Sequence, residues 1–344
     1  MKGQDAATQL LSVRGLVKHY SVGGGLFSRD SRVVHAVEDV SFDIAAGETL
    51  GLVGESGSGK STISKLIMRI ERPTGGKIIF GCRDVAQARE RNLADYRRNV
   101  QMIFQDPYSS LDPRMRAGAI IEEPLVIRGG IPKVERTRRV AELMDHVGLA
   151  VSARDRYPNE FSGGQRQRIG IARAIALNPK LVIADEPVSA LDVSIQAQVV
   201  NLLQDLQMEL GLSYLFVAHD LAVVRHIAHR VAVLYLGRIM ELAPASELYE
   251  HPLHPYTRAL IEAVPEPDPE IEAKRELVAI EGEIPSALNP PSGCVFSTRC
   301  PLASDECRRA VPPLEEKAPG HLVACIKVPK SSKAASRLAL GHKE

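Results

Sequence analysis

Several short apolar runs stand out along the first 243 residues: Thr49–Val53, Leu181–Ala184, Tyr214–Ala218 and Val231–Leu236. Each is strand-sized. Leu181–Ala184 runs without polar alternation into two acids, which predicts a parallel strand buried on both faces, its carboxyl end at a ligand crevice. Val231–Leu242 reads as a hairpin through Gly237, whereas Ser61–Ile70 and Arg166–Ala176 are helical, the latter with Ile169, Ala172 and Ala176 at helical spacing. No window holds about 18 uninterrupted apolar residues, so no membrane-spanning helix is expected. The start, MKGQDAATQL, lacks the basic-then-apolar pattern of a secretory signal, and a cytoplasmic chain is expected.

Composition divides the chain unevenly. At about 150 residues per domain, 344 residues predict roughly two domains. With 44% apolar and 25% charged residues the chain can bury a sizeable core. Its 43 basic against 42 acidic residues leave +1, which argues against a nucleic-acid partner, since such partners select a basic excess. Fourteen of the 22 prolines fall at or after Pro244, and four of the five cysteines in the last 51 residues. We therefore expect an α/β body over 1–244, a loop-rich cysteine-containing domain over 245–330 and a basic tail over 331–344. The tail reads as a solvated end, with contact to anionic headgroups as the alternative. Cys82 stands apart and is expected to be a packing residue.

The candidate chemistry begins at Gly54-Glu55-Ser56-Gly57-Ser58-Gly59-Lys60-Ser61, which fits G-x4-G-K-[ST] between a strand and a helix. A glycine-rich turn alone is commonly just a turn. Here the glycines let backbone N–H groups face phosphate oxygens, and the following helix adds the positive end of its dipole. Lys60 would reach the β- and γ-phosphates and Ser61 would ligate Mg²⁺. At the end of Leu181–Ala184, Asp185 is placed for the Mg²⁺ shell and Glu186 to take a proton from water. Phe161-Ser162-Gly163-Gly164-Gln165 opens another helix with Ser162 as N-cap. It reads as a second anion-facing helix start or as a plain capped helix.

Together, Gly54–Ser61, Gln105, Ser162–Gln165, Asp185-Glu186, Ser189-Ala-Leu-Asp192 and His219 resemble the ATP-binding subunits of ABC transporters, from about Leu11 to Cys325. The resemblance implies a P-loop α/β core: a mixed sheet with helices, an antiparallel β subdomain and a helical signature subdomain at about 106–178. It implies that Gly54, Glu55, Ser56, Gly57, Ser58, Gly59, Lys60, Ser61 and Thr62 bind ATP. Tyr20 stacks on adenine, although Ser31–Val40 falls in an insertion that loosens the match there. Ser162, Gly163, Gly164 and Gln165 serve nucleotide held by a second subunit, and Asp192 also binds nucleotide. Ser61, Gln105 and Asp185 meet Mg²⁺, and Glu186, His219 and Gln105 carry hydrolysis. With every catalytic position filled, an active ATPase rather than a regulatory partner is expected.

After the hairpin, His251-Pro-Leu-His254-Pro, Gly282-Glu-Ile-Pro-Ser286 and Asn289-Pro-Pro-Ser-Gly-Cys294 are similar to the C-terminal region of the oligopeptide/dipeptide importer branch, as is Asp185–Gln198. The chain most resembles the second of that branch's two non-identical ATPases. The implied partners are a paralogous ATPase, two membrane permeases and an extracytoplasmic solute-binding protein, with the chain peripheral at the cytoplasmic face of the inner membrane. Cys294, Cys300, Cys307 and Cys325 are spaced C-x5-C-x6-C-x17-C. Disulfides are disfavoured in a reducing compartment and zinc-type C-x2-4-C knuckles are missing. Cys300-Pro301 echoes the ending of ferredoxin ligand runs. On the residues alone an iron–sulfur cluster, zinc and four free thiols all stay open; the resemblance implies [4Fe–4S]. An alternative function is a soluble ATPase of the same superfamily acting on nucleic acid or ribosomes. Against it stand the single cassette, the lack of a long coiled-coil insertion and the charge balance.

Overall fold

A computed structural model describes residues 9–23, 32–106, 108–263 and 282–330. The basic tail lies outside the described residues. Two sheets organise the rest. The smaller is antiparallel, ordered β2-β1-β4-β5 from β1 (Gln9–Val22), β2 (Arg32–Ala45), β4 (Gly75–Phe80) and β5 (Arg83–Asp84). The larger has eight strands in the order β11-β12-β10-β9-β3-β8-β7-β6. Its parallel part comprises β3 (Thr49–Val53), β6 (Val100–Ile103), β7 (Leu181–Asp185), β8 (Ser213–Ala218) and β9 (Arg230–Tyr235). The antiparallel edge comprises β10 (Arg238–Pro244), β11 (Glu315–Ala318) and β12 (His321–Val323).

The unbroken apolar runs are strands because both of their faces are covered. Leu181, Ile183, Leu215, Val217, Ala232 and Leu234 point into a core shared with the antiparallel sheet and α1 (Lys60–Ile67). Their alternates Val182, Ala184, Tyr214, Phe216, Val231 and Val233 point into the opposite core, under α5 (Gly163–Ile175) and α6 (Val193–Leu210). Period-two alternation thus assigns successive side chains to two apolar layers, and polar alternation is lost. The helices α3 (Ala117–Arg128) and α4 (Lys133–His146) pack with α5 through Ile120, Ile121, Leu143 and Ile169.

Residues 32–40 are regular strand: β2 pairs with β1, with Tyr20 opposite Val34, and Val40, Phe42 and Ile44 alternate into the core. One expectation needs correction. Cys82 is exposed rather than packed, because it sits in the Gly81-Cys82 turn joining β4 to β5 at the sheet edge.

The cysteine-bearing segment is tied into the main body at several points. Strand β12 pairs with β10, Ala324 N–H donates to Met240 O (2.8 Å), and His35 N–H donates to Ala287 O (2.9 Å). Phe296 is buried against Tyr235 and Tyr256, with ring centroids at 5.4 and 5.2 Å. The buried carboxylate of Glu241 accepts from the backbone N–H groups of Leu253 and His254 and from His321 Nε2 (2.7, 3.0 and 2.6 Å). His254 caps α9 (Pro255–Glu262) by accepting from Tyr256 N–H (3.1 Å).

Burial pushes the His254 pKa from 6.5 down to about 4, against the opposing pull of Glu241. The unfolded chain therefore takes up a proton near pH 6.5 that the folded chain refuses until about pH 4. This residue's contribution is complete above pH 6.5 and falls by about 3 kcal/mol as pH drops to 4. His254→Asn keeps a capping acceptor without titrating. Its urea midpoint is expected to fall less than that of the wild type between pH 7 and pH 4.5, and equal falls would refute the assignment.

Candidate nucleotide site

Four neighbouring parallel strands, β3-β8-β7-β6, deliver the candidate residues to one rim. Beyond β3 lies the glycine loop, beyond β8 His219, at the end of β7 Asp185 and Glu186, and beyond β6 Gln105. Val53 is in register with Ala218, Asp185 with Val217, and Ile103 with Ala184, so their successors emerge side by side. The carboxyl ends of parallel strands are where open α/β sheets place ligands, because the strand-to-helix loops converge there.

The glycine loop requires its glycines for two reasons. Gly54, Gly57 and Gly59 have φ of 155°, 78° and 106°, a region that side chains disfavour. A Cβ on Gly54 would lie 2.1 Å from Leu234 O, and one on Gly59 2.4 Å from Ala36 O, whereas Gly57 faces open space. Lys60 is nearly buried and its Nζ donates to the Gly54 and Glu55 carbonyls (2.7 and 3.0 Å). Burial lowers its pKa, opposed by Glu186, Asp185 and Glu55. Ser58 Oγ is buried without a partner, as fits a hydroxyl awaiting a ligand oxygen.

Ser61 Oγ donates to Asp185 Oδ1 (3.3 Å), so a hydroxyl and a carboxylate converge beside the loop as a Mg²⁺ pair requires. Burial raises the Asp185 pKa to about 6, Ser61 and Lys60 pulling the other way. Glu186 stands in the left-handed region at φ 46°, costly for a residue with a side chain and characteristic of functional positions. Gln105 Nε2 donates to its Oε2 (2.8 Å), and His219 Nδ1 lies 3.4 Å from the same oxygen. The three residues expected to carry hydrolysis are therefore in contact.

Tyr20 and Thr62 also meet. The Tyr20 hydroxyl donates to Glu71 and hydrogen-bonds Thr62, and burial followed by Glu71 pushes its pKa up to about 12. Ser162 and Gln165 form a reciprocal capping box at the start of α5, Gln165 N–H to Ser162 Oγ and Ser162 N–H to Gln165 Oε1 (3.4 and 3.0 Å). Both are exposed, and Asp192, also exposed, starts α6. Gly163 and Gly164 pack against Leu191 and Ile195. Among the described residues, no hydrogen bond or ion pair joins Ser162–Gln165 to Gly54–Thr62. Ser56 is exposed on the loop.

All four late cysteines line one small cavity beside His254 and Phe296. None is in a disulfide. Burial, with a smaller contribution from the other three cysteines and against a hydrogen bond from the Phe296 backbone, pushes the Cys294 thiol up to about 11. Burial also raises the Cys300 thiol, whereas the hydroxyl and backbone of Ser304 hold the Cys307 thiol below its ordinary value despite burial. Sequence reading missed two residues of this neighbourhood, Arg299 and Tyr256, which bond to Glu55 from some 200 or more positions away.

Over residues 37–189 the sequence matches the ABC transporter family, and over residues 240–307 the oligopeptide/dipeptide transporter C-terminal region. It is 54% identical to the probable peptide ABC transporter ATP-binding protein y4tS of Sinorhizobium fredii, over 96% of this chain and 94% of that one. It is 53% identical to the oligopeptide transport ATP-binding protein AppF of Bacillus subtilis, over 92% of this chain and 96% of that one. A solved dimer of the ATP-binding cassette MJ0796, in a post-hydrolysis state with ADP and Pi, superimposes with a TM-score of 0.61. It is 30% identical, covering 69% of this chain and 99% of the cassette. The chain belongs to the ATP-binding subunits of ABC transporters. Within them it falls in the oligopeptide/dipeptide branch, as the second matched region specifies.

Proposed function

We propose that this subunit binds and hydrolyses ATP to energise import of di- or oligopeptides, or related solutes, through separate membrane permeases. The observation that carries the ATPase reading is the contact of Gln105 and His219 with the Glu186 carboxylate beside a glycine loop and the Ser61–Asp185 pair. The C-terminal match and the relatives' names support the peptide class.

In this reading Lys60 leaves the Gly54 and Glu55 carbonyls for the β- and γ-phosphates. The loop amides and the N-terminus of α1 take the remaining phosphate oxygens, and Tyr20 stacks on adenine. Ser61, Asp185 and Gln105 would hold Mg²⁺, which when bound neutralises phosphate charge. Glu186 accepts the proton of the attacking water, and Gln105 and His219 fix the orientation of its carboxylate. Ser162, Gly163, Gly164 and Gln165, exposed or half-buried and unlinked to the chain's own loop, present the N-terminus of α5 to ATP on a second subunit, and Asp192, at the start of α6, contributes to nucleotide binding.

That second subunit is a non-identical paralogue, and two permeases and a solute-binding protein complete the importer. Among the described residues no helix is long and apolar enough to cross a membrane, so the permeases would hold the chain at the inner membrane's cytoplasmic face. Cys294, Cys300, Cys307 and Cys325 would hold a [4Fe–4S] cluster, whose thiolate bonds brace an otherwise loop-rich segment. The test is affinity capture of the tagged chain from detergent-solubilised membranes under anaerobic conditions. Permeases, a second ATPase and about four iron atoms per chain are expected. Capture of nucleic acid or ribosomes without membrane proteins would overturn the transport reading, and a colourless, iron-free complex would overturn the cluster.

A further inference from the structure

Glu55 is the second residue of the glycine loop, and the C-terminal segment holds it from two sides. The Arg299 guanidinium meets both of its carboxylate oxygens, Nη1 to Oε2 at 2.7 Å and Nη2 to Oε1 at 3.1 Å. Its side chain is 6% exposed, and Nη1 also reaches the Tyr235 hydroxyl at 3.5 Å. The backbone N–H of Glu55 donates to the Tyr256 hydroxyl at 3.1 Å. On its remaining polar atom, the carbonyl, Glu55 accepts from Lys60 Nζ and Ser58 N–H (3.0 and 3.2 Å). Residues outside the loop therefore take both its side chain and its N–H, while its carbonyl carries the lysine expected to bind phosphate.

Arg299 is itself well fixed. A planar fork facing a carboxylate makes two parallel charge-assisted bonds, which set direction as well as distance. The guanidinium carbon lies 5.9 Å from the Tyr235 ring centroid, and Tyr235 packs with Tyr256 and Phe296 in one aromatic cluster. The residue after Arg299 is Cys300, whose thiol lines the four-cysteine cavity. The clamp thus joins the cysteine-bearing segment to a turn with three glycines at positive φ.

We propose that Arg299, with Tyr256, is a positioning residue for the phosphate-binding loop, so that the C-terminal segment sets the affinity for ATP. This rests on the ATPase reading above. A loop with three glycines at positive φ has much freedom to lose when phosphate binds, and a clamp at Glu55 removes part of that freedom beforehand. Without it, ordering of the loop is charged against nucleotide binding. A purely structural Arg299 would affect melting and leave the affinity of the folded protein unchanged.

The test uses the full chain, a fluorescent ATP analogue with Mg²⁺, and thermal melting on the same samples. Arg299→Met is expected to weaken nucleotide binding about tenfold, and Arg299→Lys, which keeps the charge but loses the fork, about threefold. Adding Glu55→Gln to Arg299→Met should weaken binding no further, since both changes break one contact. Unchanged affinity in either Arg299 variant, or losses that multiply in the double variant, would overturn the proposal. If Arg299→Met does not fold, the Lys variant and the Glu55→Gln single variant carry the same comparison. Wild-type chain that binds no nucleotide would refute the ATPase reading instead, which keeps the two failures distinct.

Discussion

Replacing Glu186 with Gln is expected to leave ATP bound while lowering turnover about 10²–10⁴-fold, the range for loss of a positioned general base. Gln is nearly isosteric and can still meet Gln105 and His219, so the geometry of the rim survives. What it cannot do is accept a proton from water. The left-handed backbone at Glu186 is held by its N–H to Val217 O (2.9 Å) and by Ser189 donating to its carbonyl, contacts that an amide side chain does not disturb. With the partner ATPase present, the ATP-bound pair should therefore accumulate, visible as a nucleotide-dependent species on size exclusion alongside lost phosphate release. Phosphate release at the wild-type rate would remove Glu186 from the mechanism.

Lys60→Ala is expected to fail one step earlier. Hydrogen bonds to charged groups contribute about 1.5–3 kcal/mol each, so loss of the ammonium should weaken MgATP binding roughly 10- to 150-fold. The effect should be large because Lys60 is nearly buried and is the one basic residue of Gly54–Ser61; Lys65, the other basic residue of α1, is exposed. The two variants thus separate binding from chemistry: Glu186→Gln retains nucleotide without turnover, and Lys60→Ala loses nucleotide first. Titration at fixed Mg²⁺ distinguishes them, and an unchanged dissociation constant for Lys60→Ala would count against its phosphate role.

Much of the site was legible because its chemistry is local in the chain. Gly54–Ser61 specifies a turn, a lysine and a hydroxyl within eight residues, and the capping box at Ser162–Gln165 closes within four. The apolar runs were legible as strands because burial on both faces leaves no polar positions to break them. What sequence reading could not supply was anything depending on which strands become neighbours. Strands β11 and β12 escaped it, being four and three residues long; the mostly charged β11 is held by pairing with β12, and β12 by pairing with β10, rather than by their own pattern. Cys82 looked like a packing residue because nothing in its flanks marks a sheet edge.

By itself, then, the sequence determined the reacting groups and the order of elements that carry them: a strand before each of the glycine loop, Asp185-Glu186 and His219, with all four late cysteines in one short region. Only the tertiary structure decided their company. Strand order brought Gln105, Glu186 and His219 into contact, because parallel strands expose their carboxyl ends on one rim. Packing of the aromatic cluster brought Arg299 onto Glu55, 244 positions away, a distance over which no periodicity or spacing in the chain carries information. Contacts within one turn are encoded by adjacent residues, whereas contacts across the fold exist only once two apolar cores have closed around a single sheet.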